Sequence, residues 1–159
     1  MSRNTRYALA GLQAGISGAI TLLLWMSLAS RFFGKSVWWT ANLLSSAFYG
    51  ESALGYAFGR HTISGAALVL FMYGALGIVF GLLWRNRSGG AVMVAAALFT
   101  AVLAYYVLVK WALRTVSPLG AIYAPERQIF LGHLLFGMVL ARYPRFRDRL
   151  LPQIPLGSE

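Results

Sequence analysis

No cysteine occurs in this chain, and only four of its 159 residues are acidic. The first absence excludes a disulfide framework, thiolate-ligated metals and thiol catalysis. The second leaves Glu51, Glu126, Asp148 and Glu159 against fourteen Lys and Arg, a formal charge of +10. No paired carboxylates mark general acid–base work. No glycine-rich phosphate loop with its lysine is present either. Charge of either sign is missing altogether from Tyr7 to Ser30, from Ile63 to Trp84 and from Ser88 to Val109. A soluble fold must show water a polar surface, and 11% charged residues against 58% apolar ones make a poor one.

Those uncharged runs are long enough to cross the hydrocarbon core of a bilayer as helices, which takes roughly 20 residues. The chain reads as a single all-α, polytopic integral membrane domain over residues 1–159. Four transmembrane helices are expected at about 7–30, 63–84, 91–113 and 125–142. Gln13 and the Trp25-Met26 pair interrupt what would otherwise resemble a cleaved leader, so the first run is taken as a mature helix. The charge-free core of the fourth, Gln128 to Ala141, is short and crosses only if Arg127 and Arg142 snorkel or the bilayer thins. Between the first two spans, residues 36–58 read as an interfacial or re-entrant amphipathic segment with Leu43, Leu44, Ala47 and Phe48 on its apolar face. A basic tail covers 142–159. The tight turn Arg85 to Gly90 sets the second and third spans antiparallel, side by side.

The basic residues cluster at the ends of the apolar runs, which favours anionic lipid head groups as partners over nucleic acid. Arg3, Arg6, Arg85, Arg87 and the tail arginines share one side in a four-span topology. The termini are therefore expected in the cytoplasm. Trp38, Trp39, Trp111 and Lys110 are the expected interfacial anchors. Gly11, Gly15 and Gly18 on the first helix, Gly74, Gly77 and Gly81 on the second and Ala97, Ala101 and Ala104 on the third form small-residue seams for helix packing. Gln13, Ser17 and Thr21 add a mildly polar stripe to the first helix.

Of the two histidines, His133 inside the fourth helix and, less so, His61 ahead of the second are the candidate cofactor ligands. A neutral imidazole beside Gly132 could hold haem or a chlorophyll-type pigment. A hydrogen bond to a carbonyl or to a hydroxyl of a neighbouring helix is the competing role for His133. Both histidines are expected near the outer face. No metal site or nucleophilic triad is evident: Ser64 near His61 lacks an orienting acid, and Glu51 and Glu126 each stand alone.

Ile129-Phe130-Leu131-Gly132-His133-Leu134-Leu135, the basic tail after it, the ending Ile154-Pro155-Leu156-Gly157-Ser158 and the opening Ala10-Gly11-Leu12-Gln13-Ala14-Gly15 resemble YagU-like bacterial inner-membrane proteins. The resemblance implies a multi-helix protein of the bacterial inner membrane and no particular reaction. With no carboxylate inside any span, proton-coupled transport is disfavoured. The leading expectation is a non-catalytic accessory or structural subunit that needs no cofactor and packs against other membrane subunits or copies of itself. A His133-dependent pigment or haem subunit is the second. A small transporter component with Gln13, Ser17 and Thr21 along its path is the third.

Overall fold

The computed structural model describes residues 2–150 apart from Tyr56 and Ser88. The second half of the basic tail, with Ile154 to Ser158, lies outside the described residues. Every regular element among the described residues is helical. α1 runs Arg3–Phe32, α2 Trp39–Tyr49, α3 Arg60–Leu83 and α4 Ala91–Ala104. α4 continues through a π-helical stretch, Tyr105–Ala112, into α5, Leu113–Val116, as one rod. α6 (Pro118–Tyr123), α7 (Glu126–Leu140) and α8 (Tyr143–Leu150) complete the chain. A 3₁₀ turn, Gly50–Ala53, follows α2.

Three helices are long and apolar enough to cross a membrane: Arg3–Phe32, Arg60–Leu83 and Ala91–Val116. α7 rises only about 22 Å at 1.5 Å per residue, less than a hydrocarbon core of about 30 Å. It is nonetheless central to the packing, seated between α1 and α4.

α1 begins on Ser2, whose Oγ accepts from the Thr5 N–H at 3.2 Å. It stops at Gly34, which takes φ +68°. That left-handed turn lets the Gly34 N–H reach Arg31 O and the Lys35 N–H reach Ser30 O, satisfying two end carbonyls. α1 then serves as the axis of the bundle, with α3 on one side and α7 on another. Against α3 the approach is backbone to backbone. A Cβ on Gly11 or Gly15 would overlap the carbonyl oxygen of Gly77 or Tyr73, and one on Gly81 would meet Tyr7 O. Gly18 instead receives the Phe136 ring of α7, and Gly74 faces the Leu12 and Ile16 side chains. The glycine seams are thus consumed within the chain.

The alanine seam corrects one expectation. Consecutive helices joined by a tight turn were expected to pack side by side, yet α3 and α4 stand apart. Ala97 and Ala101 pack on Gly137 of α7, where a Cβ would lie 2.9 Å from that of Ala101. The row of helices is α3, α1, α7, α4, and its two ends enclose an apolar groove.

The segment read as amphipathic and interfacial is tied inward by its polar residues. Asn42, 1% exposed, donates from Nδ2 to the carbonyls of Gly55 and Ala57 at 2.9 and 3.1 Å. Its Oδ1 accepts from Thr62 Oγ1 at 2.6 Å. Ser30 bonds Thr40, and Ser46 bonds Ser117 at the start of α6. Gly65 lets α3 press on the Ala41 carbonyl. Trp39, expected at the head-group layer, is buried beneath Lys35, whose Nζ sits 4.8 Å from the ring centre. Trp38 and Trp111 keep exposed faces, and Trp38 meets Phe58 edge-on.

At the opposite end, the first part of the basic tail is a helix docked on the bundle. The Tyr143 hydroxyl donates to Gly81 O at 2.9 Å, and burial pushes its pKa up to about 12, keeping that proton in place. Arg147 Nη1 donates to the Arg87 carbonyl at 2.7 Å, closing the α3–α4 turn.

Candidate functional site

A space is left open between α3 and the α4–α5 rod. One part of it, about 290 Å³, lies where α1 and the rod end and α3 and α7 begin. Met26, Leu44, Met72, Val109, Ala112 and Ile129 are among its walls. A second cleft of about 310 Å³ adjoins it between α3 and α4, lined by Leu76, Val79, Thr100, Leu103 and Ala104. Met72 and Leu108 border both. Along the rod the two extend from Val116 to Thr100, roughly 20–24 Å of helix. The π-helical turns carry Leu108, Val109 and Ala112 to this wall. Such wide turns are rare and often fall at functional sites.

Tyr73 and His133 form the polar floor of the first part. His133 is 1% exposed and stands mid-way along α7. Its Nδ1 lies 2.8 Å from Ile129 O and its Nε2 2.5 Å from Tyr73 Oη. A carbonyl can only accept, so Nδ1 carries the proton, Nε2 is the acceptor and the Tyr73 hydroxyl donates to it. The rings of Tyr73 and Tyr105 pack edge-on against the imidazole at 5.6 and 5.4 Å. Both polar groups are satisfied by each other and by backbone, so the surface they turn to the cavity is mainly carbon.

This geometry bears on each candidate residue. A haem or chlorophyll metal would have to displace Tyr73 from Nε2. The space beside Gly132 is filled, since a Cβ there would lie 3.0 Å from Trp25 Cδ1. Trp25 Nε1 also donates to Gln128 O at 2.8 Å, locking α1 to α7. His61 sits on the first turn of α3 against the Tyr49 ring at 4.6 Å, with its Nδ1 unpartnered, far along α3 from His133. Ser64 bonds Tyr49 instead of His61. Gln13, Ser17 and Thr21 line neither cleft. Gln13 is exposed, and the Thr21 hydroxyl donates to Ser17 O of its own helix.

Glu126 does not stand alone. Its Oε1 accepts from Lys110 Nζ at 2.5 Å, with Arg114 Nη2 at 4.0 Å. Lys110 therefore ties the rod to α7 near the Val116 end of the groove, and Arg114 remains exposed beside it. Two participants escaped sequence reasoning. Tyr73 lies 60 positions from its partner His133, and the groove arises where α3 and α4 pack on α1 and α7 more than on each other. No group of three or more metal-ligating side chains occurs among the described residues. Compared with known proteins, the chain matches no family model, no curated protein and no solved structure.

Proposed function

We propose that this chain is a non-catalytic integral membrane protein that crosses the bilayer four times and seats the hydrocarbon chain of a membrane lipid between α3 and α4. The observation that carries the reading is the pair of adjoining apolar clefts that together run from Val116 to Thr100. Its length of roughly 20 Å exceeds the depth of one leaflet, about half of a 30 Å core. Either part alone comes close to the lower end of the roughly 300–1,000 Å³ typical of ligand sites. With its Tyr–His floor internally satisfied, the groove offers a hydrocarbon chain contact and asks no hydrogen bond of it. Exposed Arg114, beside Leu113 and Val116 of the groove wall, is suited to an anionic head group.

In this proposal α7 is the fourth, short span and both termini face the cytoplasm, where Arg3, Arg6, Arg85, Arg87 and the tail arginines gather. The YagU-like resemblance favours a bacterial inner membrane. An accessory role beside other subunits would use the outer helix faces, because the glycine and alanine seams are already occupied.

The test is lipid retention. Protein purified in mild detergent is expected to carry lipid in near-stoichiometric amount, measured by mass spectrometry of the extract. Ala112→Phe fills the groove beside Val109 and is expected to lower retained lipid roughly tenfold while the melting temperature holds. A preparation free of lipid, or an Ala112→Phe variant that keeps it, would sink the reading.

A further inference from the structure

We propose that the outward face of α1 centred on Gln13 is the contact between two copies of this chain. α1 has three sides. Gly11 and Gly15 meet α3, Gly18 meets α7, and the third side carries Leu9, Gln13, Ile20 and Leu24 outward. At 100° per residue Gln13 falls near the middle of that exposed side. Leu9, Ile20 and Leu24 are 38%, 47% and 66% exposed, a wall that suits lipid or another helix equally. Gln13 does not suit lipid. Its amide makes no hydrogen bond to any described residue, and hydrocarbon offers none.

On the four-span reading proposed above, the head-group layer begins at Tyr7, the edge of the charge-free run. Gln13 lies about 9 Å along the helix from Tyr7, beyond the reach of a side chain with two methylenes. A second polar helix is the remaining partner. An amide both donates and accepts, so two Gln13 side chains related by a two-fold axis satisfy each other. That self-complementarity identifies the occupant as a second copy, with the leucines of the same face closing around the pair. The contact is separate from the α3/α4 groove, which lies on the other side of the bundle.

Because the chain has no cysteine, Leu24→Cys places one reactive site on this face and Phe99→Cys one on the outward side of α4. In liposomes, oxidation is expected to cross-link the Leu24→Cys protein and leave the Phe99→Cys protein monomeric. Energy transfer between labelled copies, followed through dilution with lipid, gives the association constant. Gln13→Leu is expected to weaken it about tenfold, the order of an interhelical hydrogen-bond pair, with an unchanged melting temperature. Gln13→Asn, which keeps the amide, restores part of the loss. Equal association of the Gln13→Leu protein, equal cross-linking through Phe99→Cys, or a wild type that stays monomeric throughout would overturn the proposal.

Discussion

Replacing Gly77 by Ile is expected to abolish the native fold or to lower its stability by about 3 kcal/mol or more. The reason is geometric. A Cβ on Gly77 would overlap the Gly11 carbonyl oxygen and approach Gly15 Cα to 2.7 Å. Both obstacles are backbone of a long helix, which cannot rotate aside as a side chain can. α1 and α3 would have to separate, and the contacts along this backbone-to-backbone crossing would be lost together. Gly74→Ala is the matched control on the same helix. Its added methyl meets the Leu12 Cδ1 and Ile16 Cγ1 atoms at 3.1 and 3.5 Å. Those side-chain tips can shift, and alanine favours a helix over glycine by about 1 kcal/mol. Near-native stability is expected for it. Denaturant titration of both proteins in the same detergent checks the contrast, and equal behaviour of the two would refute the crossing geometry.

The second large effect is expected at the floor of the groove. Tyr73→Phe leaves His133 Nε2 buried without a donor, at a cost of about 1–3 kcal/mol. His133→Leu strands the Tyr73 hydroxyl in the same way and also removes the bond to Ile129 O. The double variant is expected to be less destabilised than the sum of the two, by about 1–2 kcal/mol, because each change removes the group that the other orphans. Additive losses in a thermodynamic cycle would show that the two side chains do not share this bond in solution. Lipid retention measured on the same variants separates the floor's structural role from the groove's occupancy.

Much of the architecture was legible in local sequence. Uninterrupted apolar runs mark α1, α3 and the α4–α5 rod because length and hydropathy are properties of a single segment. Gly11, Gly15, Gly77 and Gly81 announced themselves as a packing surface because only residues without bulk allow such an approach. What they would pack against was not legible. Each apolar helix is equally at home beside lipid or any other helix, so nothing local says that Ala97 and Ala101 seek Gly137 and turn away from α3.

The polar residues of α2 show the same limit from the other side. Ser, Thr and Asn in a short apolar stretch suggested an interfacial or re-entrant segment but named no partner for any of them. Asn42 bonds Gly55, Ala57 and Thr62, up to 20 positions away, and its burial depends on all three. Glu126 looked isolated because its partner, Lys110, lies on the preceding rod.

The sequence by itself determined helical segments, their lengths, their small-residue faces and the clustering of charge at their ends. Each follows from the composition of a continuous stretch and the helical period. Only the tertiary structure decided the order α3, α1, α7, α4, the Tyr73–His133 bond, the groove that α3 and α4 leave open, and the exposure of Gln13. These depend on which surfaces of similar apolarity fit one another, and shape complementarity between distant segments is not written in either segment alone.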